Sequence, residues 1–308
     1  MGSFFLFAGS FRMNAIHPTN AGHLPHSSPA QANAHDSDLS PLQAVIFDWA
    51  GTLVDFGSLA PTQIFVEAFA TFGIQITLAQ ARGPMGLSKW DHIQQLLQEP
   101  CIRQQWQAHF GHAPGNADVD AIYARFMPLQ IAKVAEFSAP IAGAVQTLQW
   151  LRAQGLKVGS CSGYPREVLD QLLPQAHAVG VAPDHVVAGD DLSVGARPGP
   201  WMALANVLAL GITDVRACVK VDDTVPGIAE GRNAGMWTVG LSLSGNEVGY
   251  SAEELTQAPA SEVAAKVAAA EAKLQQAGAD YVVHSVADLP AVLQAIALRM
   301  RAGRTHRF

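Results

Sequence analysis

The sequence predicts an α/β protein whose core is a doubly wound, Rossmann-like parallel sheet with a helical domain inserted into it. Short apolar runs rich in Val recur between residues 43 and 284, and helical or loop segments separate them. Such alternation is typical of a parallel sheet with helices on both faces. Between Asp55 and Ser138 this strand rhythm stops, and helical periodicity replaces it.

Each predicted strand is a short run of β-favouring residues between turn or helix signals. The runs are QAVIFDW at 43–49, LKVGSC at 156–161, HVVAG at 185–189, ACVKV at 217–221, MWTVGL at 236–241 and DYVVH at 280–284. In sheets of this kind, ligands bind beyond the carboxyl ends of the strands. We therefore expect Asp48, Ser162 and Asp223, which lie at or just past such ends, to share one crevice.

The interruption of the strands predicts a second domain. Runs such as PTQIFVEAFATFG and HIQQLLQEP have helical periodicity and end at Gly or Pro. A segment that leaves the core after the first strand and returns before the second would lie over the crevice as a cap. We predict a core formed by residues 42–57 and 138–308 and a helical cap at 58–137. A further surface helix is expected at 260–277, with Gly278 as its stop.

The N-terminal segment 1–41 is expected to be a disordered leader, because it is rich in Ala, His, Ser, Pro and Asn without apolar periodicity. Its opening apolar stretch has no preceding basic residue and is too short to span a membrane. A signal peptide is the alternative interpretation, and Met13 is an alternative start.

Charge and cysteine content restrict the class of function. The net charge of -7 argues against a general nucleic-acid binder, but it does not exclude a small anionic ligand held by local charge. Cys101, Cys161 and Cys218 have spacings that match no zinc or disulfide framework. A reducing, cytoplasmic location is therefore expected.

The polar residues at the strand ends occur in recognisable patterns. Asp48 could attack phosphorus or simply cap a turn, but FDWAGTLVD resembles the first motif of the haloacid-dehalogenase superfamily, whose first Asp is a nucleophile. Ser162 resembles the phosphoryl-binding hydroxyl of the second motif. Arg197 lies where the third motif has a basic residue, and its guanidinium suits phosphoryl oxygens. Asp223 resembles the carboxylate of the fourth motif that binds Mg²⁺.

The resemblance implies a Mg²⁺ site formed by Asp48, the Ala50 carbonyl and Asp223, with Asp222 as a further candidate. Two departures from the usual motifs matter. Many phosphatases of the superfamily have a general acid where this chain has Ala50, so an ordinary phosphate ester would lack its proton donor. Gly227 stands where a fourth-motif carboxylate is common, so the metal site depends more on Asp223.

A carbon leaving group would explain why Ala50 replaces the general acid, because a departing carbanion needs an electron sink more than a proton donor. The run RGPMGLSKWDH at 82–92, with SGY at 162–164, RPGPWM at 197–202 and EGRNAGMWTVG at 230–240, resembles the phosphonatase family, which hydrolyses phosphonoacetaldehyde. The resemblance implies a Schiff base on Lys89 and an aspartyl-phosphate on Asp48. It also implies a phosphonate substrate and a homodimer formed through the caps.

The remaining site residues are less sharply defined. The resemblance implies that His92 assists proton transfer, and a packing role on the helical face that it shares with Lys89 is the alternative. Tyr164 and Met85 are expected to line the aldehyde end of the site. The rival functions are a metal-free dehalogenase, which Asp223 disfavours, a sugar-phosphate phosphatase, which Ala50 disfavours, and a binding protein, which has no need of a nucleophilic Asp48.

Overall fold

A computed structural model describes residues 38–303, and its core is a six-stranded, all-parallel sheet. The strands are β1 (Ala44–Phe47), β2 (Lys157–Cys161), β3 (His185–Val187), β4 (Cys218–Asp222), β5 (Trp237–Leu241) and β6 (Tyr281–Val283). Their order in the sheet is β3-β2-β1-β4-β5-β6. All six predicted strands are present, and the predicted fold class is confirmed.

The strand order brings the predicted site together. β1 lies between β2 and β4, with Ile46 opposite Gly159 on one side and opposite Lys220 on the other. Because all three strands run in the same direction, the residues that follow them emerge at one edge of the sheet. Asp48, Ser162 and Asp223 occupy these positions, so all three emerge at the same edge of the sheet.

Twelve α-helices complete the described part of the chain. They are α1 (Leu59–Ala70), α2 (Leu78–Arg82), α3 (Lys89–Gln98), α4 (Pro100–Phe110), α5 (Asn116–Lys133), α6 (Ala144–Ala153), α7 (Arg166–Ala178), α8 (Trp201–Ala209), α9 (Val225–Asn233), α10 (Ala252–Gln257), α11 (Ala260–Gln276) and α12 (Leu289–Arg301). Within residues 38–303, none of these helices is both long and apolar enough to cross a membrane. The surface helix predicted at 260–277 corresponds to α11.

Helices α1 to α5 bury an apolar cluster of their own, built entirely from residues between 64 and 126. Phe65, Phe69, Trp106 and Phe126 are its largest members, and each is at most 2% exposed. The core has two other clusters, which include residues on the opposite faces of β1. The inserted segment is thus helical and has its own apolar centre, while the exact domain boundaries at 57/58 and 137/138 stay predictions.

The beginning of the described chain packs on the core. Leu39 and Leu42 are buried in the main apolar cluster, and Arg301 of α12 donates to the Asp38 carboxylate at 3.1 Å. The predicted leader at 1–41 thus overlaps the described residues only at 38–41. Its first 37 residues lie outside the part of the chain that the structure describes.

Candidate active site

A small cavity lies between the carboxyl edge of the sheet and the helical segment. Its volume is about 20 Å³, which is room for little more than a water molecule. The lining residues are Asp48, Ala50, Ser58, Pro61, Met85, Gly86, Lys89, Ser162, Gly163, Tyr164, Arg197 and Thr224. Seven of the nine predicted site residues therefore share one cavity. Asp223 and His92 lie outside its lining.

Lys89 is the first residue of α3, and Ser88 caps that helix by accepting from the Asp91 N–H at 3.2 Å. The lysine is only 4% exposed. Its Nζ lies 5.0 Å from the ring centre of Tyr164 and 5.6 Å from that of Phe65. Burial lowers the pKa of Lys89 to about 7, even though the charge of Asp48 opposes the shift. A substantial fraction of this amine is therefore unprotonated near neutral pH.

The buried amine should make the protein less stable below pH 7 than an apolar side chain would. The pKa of Lys89 is 10.5 when unperturbed and about 7 in the folded protein. Between these values the unfolded chain binds more protons, so stability rises with pH over this window. We expect Lys89→Met to raise the free energy of unfolding at pH 6–7 by roughly 3 kcal/mol. Urea denaturation as a function of pH measures this, and an equally steep pH dependence in the variant would contradict the assignment.

His92 is fully buried on α3, and its ring stacks on Phe65 with the ring centres 3.8 Å apart. Its Nε2 lies 2.9 Å from the Ala81 carbonyl, which can only accept, so Nε2 carries the proton. Nδ1 is then an acceptor, and it has no hydrogen-bond partner among the described residues. Burial, followed by the charge of Lys89, holds the pKa of His92 well below its ordinary value. Both predicted functions of His92, proton transfer and packing, stay open.

The residues after β2 form another part of the cavity wall. Ser162 Oγ accepts from the Tyr164 N–H at 3.0 Å, which leaves its own hydroxyl proton available for a ligand. Tyr164 is 3% exposed, and burial holds the pKa of its phenol well above the ordinary value. A Cβ added at Gly163 would lie 2.5 Å from the Leu87 carbonyl oxygen. The glycine therefore permits close approach of the segment that precedes Lys89.

Arg197 joins the nucleophile candidate to the rest of the site. Its Nη2 donates to Asp48 Oδ1 at 2.7 Å and to the Cys161 carbonyl at 2.9 Å. Its Nε donates to Glu230 Oε2 at 2.9 Å. These contacts fix the plane of the guanidinium, because its N–H donors have a rigid, planar arrangement. The predicted phosphoryl-binding arginine thus also orients Asp48.

Asp222 is the anionic centre of a buried ion network. Lys220 Nζ donates to its Oδ2 at 2.6 Å, and the Thr224 hydroxyl donates to its Oδ1 at 2.7 Å. Burial alone would raise the pKa of Asp222, but Arg197 and Lys220 outweigh it and hold the pKa below its ordinary value. Both oxygens of Asp222 thus have protein partners. A Cβ at Gly227 would lie 1.9 Å from its carboxyl carbon, which explains the missing carboxylate there.

The negative charges of Asp48 and Asp223 are offset less well by neighbouring cations than the charge of Asp222 is. Burial, followed by the charge of Asp222, raises the pKa of Asp48 to about 6. Burial and the charges of Asp48 and Asp222 hold the pKa of Asp223 well above its ordinary value. Ligand atoms of the three aspartates lie within 4.8 Å of one another.

This arrangement fits a divalent cation. The buried network has two cations, Arg197 and Lys220, and four carboxylates, those of Asp48, Asp222, Asp223 and Glu230. If all six are ionised, two negative charges remain uncompensated. A divalent ion would balance them and lower both raised pKa values. Gly51 lets the Asp223 carboxylate lie close to the backbone that follows Asp48, because a Cβ there would lie 2.2 Å from Asp223 Oδ2.

Asp222 and Asp223 should differ sharply on substitution. We expect Asp222→Asn to destabilise the fold by about 3 kcal/mol or more, because two buried cations, Lys220 and Arg197, lose a counter-charge and only the Glu230 carboxylate, 3.5 Å from Lys220 Nζ, still pairs with both. Asp223→Asn should leave the metal-free protein at least as stable as the wild type and remove most of its Mg²⁺ affinity. Urea denaturation in EDTA and calorimetric Mg²⁺ titration test the pair. The reverse pattern would make Asp222 the ligand.

The residues that were not predicted as part of the site include four that form its hydrogen-bond and ion network: Arg82, Lys220, Glu230 and Asn246. Lys220 could have been found, because a charged residue inside a buried strand is unusual and shares a strand face with Asp222 two positions later. Glu230 lies in helix α9, where its spacing carries no such information. Asn246 and Arg82 are brought together only by the fold.

Comparisons with known proteins agree with this architecture. Residues 42–235 match the haloacid dehalogenase-like hydrolase family. A phosphonoacetaldehyde hydrolase of Klebsiella pneumoniae is 60% identical over 266 residues, which cover 86% of this chain and 99% of that protein. One from Vibrio cholerae is 58% identical, with 86% of this chain and 98% of that protein covered.

A crystal structure of a phosphonoacetaldehyde hydrolase-like protein from Oleispira antarctica has a TM-score of 0.85 at 42% identity, and the match covers 87% of this chain and 96% of that one. The resemblance inferred from the sequence motifs is therefore confirmed. The chain is an enzyme of the haloacid dehalogenase-like hydrolases and belongs, within them, to the family of the phosphonoacetaldehyde hydrolases.

Proposed function

We propose that this enzyme hydrolyses the carbon–phosphorus bond of phosphonoacetaldehyde to acetaldehyde and phosphate, through a Schiff base on Lys89 and an aspartyl-phosphate on Asp48. The relatives named above, which are hydrolases of this substrate by name, support the choice of substrate. The observation that supports the mechanism most directly is that a buried lysine, whose pKa burial lowers, lines the same cavity as Asp48.

The first stage would be imine formation. The neutral Nζ of Lys89 adds to the aldehyde carbon, water leaves, and a protonated imine remains. Only the unprotonated amine can react, and burial supplies it near pH 7. The rings of Tyr164 and Phe65 lie beside Nζ and contribute to its burial.

The second stage would be phosphoryl transfer. An oxygen of Asp48 bonds to phosphorus while the electron pair of the breaking carbon–phosphorus bond moves toward the iminium nitrogen, so an enamine departs. Arg197 holds the Asp48 carboxylate, and Ser162 has a hydroxyl proton to donate to a phosphoryl oxygen. Because the leaving group is a carbon and not an oxygen, it needs no general acid to protonate it as it leaves. This is consistent with Ala50 lining the cavity.

The last stage would regenerate both groups. Protonation of the enamine carbon restores an iminium, and water then releases acetaldehyde and the free Lys89 amine. A second water displaces phosphate from Asp48. His92 is a candidate for moving one of these protons, because its Nδ1 is an unpartnered acceptor within the described residues.

The family implies a divalent metal, and we propose that it is Mg²⁺. Asp48, Asp223 and the Ala50 carbonyl would hold it, while Asp222 would stay bound to Lys220 and Thr224. Oxygen ligands of this kind suit Mg²⁺, which usually keeps several waters. When bound, the ion would supply positive charge to offset that of the phosphoryl group.

Product formation tests the proposed function. Purified enzyme should release acetaldehyde and phosphate in equal amounts from phosphonoacetaldehyde with Mg²⁺, and lose this activity in EDTA. Sugar phosphates at the same concentration serve as the comparison. Faster phosphate release from a sugar phosphate, without acetaldehyde from the phosphonate, would establish the phosphatase alternative instead.

We further propose a cytoplasmic enzyme that forms a homodimer through its helical segments. All three cysteines are free, and Cys161 and Cys218 are buried, which suits a reducing compartment. Light scattering of the purified enzyme tests the dimer. A monomeric mass at micromolar concentration would contradict it.

A further inference from the structure

Asn246, in the loop that follows β5, connects Asp223 with the helical segment. It is 1% exposed, and its backbone N–H donates to Asp223 Oδ2 at 2.7 Å. Its side-chain amide donates to the Arg82 carbonyl at 3.2 Å. The same carbonyl accepts from the Met85 N–H at 3.1 Å. A single residue thus joins a carboxylate of the metal site to the turn that leads to Lys89.

The side chain of Arg82, at the end of α2, makes the reverse connection. Its Nη1 donates to the Gly57 carbonyl at 2.8 Å and to the Asn246 carbonyl at 3.2 Å. Its Nη2 donates to the Gly249 carbonyl at 2.9 Å. A guanidinium presents several N–H groups in one rigid plane, so it can join three backbone carbonyls at once, which a lysine ammonium does less well.

Steric fit reinforces these hydrogen bonds. A Cβ at Gly249 would lie 2.6 Å from the Arg82 guanidinium carbon. At the other end of the segment, a Cβ at Gly86 would lie 2.3 Å from the hydroxyl of Thr224, the residue after Asp223. Segment 82–89, which ends in Lys89, therefore rests on the core at both Arg82 and Gly86.

Substrate entry must work against these contacts. The cavity volume of about 20 Å³ is too small for phosphonoacetaldehyde, and the cavity walls come from both the helical segment and the core. Separation of the walls would enlarge the cavity for the substrate, and their return would enclose it. The Arg82 and Asn246 contacts join those same two parts, so they stabilise the closed arrangement.

We propose that Arg82 and Asn246 are positioning residues that couple the docking of segment 82–89 to the placement of Asp223. This inference rests on the proposed function, which assigns the chemistry to Lys89 and the metal to Asp223. Docking of the segment then strengthens metal binding, and a bound cation favours docking, because coupling between two sites is reciprocal.

Two variants test the coupling. Arg82→Lys keeps the charge but loses the planar set of donors. Asn246→Ala removes the side-chain amide yet leaves the backbone N–H that donates to Asp223. Arg232→Lys is the matched control, since Arg232 also donates to a backbone carbonyl, that of Ala277 at 3.1 Å, between core elements alone. The first measurement is Mg²⁺ affinity by calorimetry without substrate. The second is the rate at which borohydride and acetaldehyde alkylate Lys89.

We expect Arg82→Lys and Asn246→Ala each to lower the Mg²⁺ affinity and the rate of Lys89 alkylation by between about fivefold and a hundredfold. The double variant should lose little more than the stronger single variant, because both substitutions break one connection. Wild-type Mg²⁺ affinity in both variants would overturn the coupling, even if their melting temperatures fell. Failure of wild-type Lys89 to be alkylated would instead refute the proposed function, and the Mg²⁺ measurement would still decide the coupling.

Discussion

Replacing Lys89 with arginine should lower kcat by a factor of about 10³ or more while the protein still folds and binds Mg²⁺. Arginine keeps a positive charge, but its guanidinium stays protonated and cannot condense with an aldehyde. The substitution therefore separates covalent chemistry from electrostatic binding of the substrate. Turnover is measured as acetaldehyde release, and folding as the melting temperature.

Lys133→Arg is a matched control for this experiment. Lys133 ends α5 in the same helical segment, but its side chain is 42% exposed and pairs with Glu67. The control should retain wild-type activity. Near-normal turnover by Lys89→Arg would contradict the Schiff-base mechanism and return the enzyme to the phosphatase alternative.

Replacing Asp48 with asparagine should remove essentially all turnover, because an amide cannot act as the nucleophile toward phosphorus. The residual rate should be lower by a factor of about 10⁴ or more. The fold should survive, since the side chain keeps its shape and the substitution removes a buried carboxylate whose pKa is raised to about 6 despite its pairing with Arg197. The Mg²⁺ site should be weakened as well.

Single-turnover phosphate release measures the loss at Asp48 most cleanly. The variant protein should still form the imine at Lys89, because that step needs no carboxylate at residue 48. Retention of a tenth of wild-type turnover would contradict the assignment of Asp48 as nucleophile.

The core of the fold was predictable because its information is local. Each buried parallel strand is a continuous apolar run, and the residues after β1, β2 and β4 are polar where a site is expected. The order of the strands in the sheet could not be predicted from the strand sequences alone. The positions of Asp48 and Asp223 could still be predicted, because ligands bind at the carboxyl edge of such sheets. The helical segment was equally predictable, because the apolar residues change there from short strand-like runs to helical periodicity.

Much of the site surrounding the motifs was not predictable, because it depends on contacts between distant parts of the chain. The partner of Arg82 is 164 residues away at Asn246, and that of Arg197 is 33 residues away at Glu230. The burial that lowers the pKa of Lys89 also depends on how the helical segment closes on the core. The structure shows the rings of Tyr164 and Phe65 that lie beside the lysine.

The central claim is that Lys89 forms an imine, and reductive trapping tests it most directly. Borohydride added with acetaldehyde should inactivate the enzyme and attach one ethyl group, which peptide mapping should place on Lys89. The trapping rate should rise with pH through about 7 and then level off, as the pKa of the buried amine requires. An adduct on another lysine such as Lys133, or no adduct while the enzyme still turns over, would contradict the mechanism.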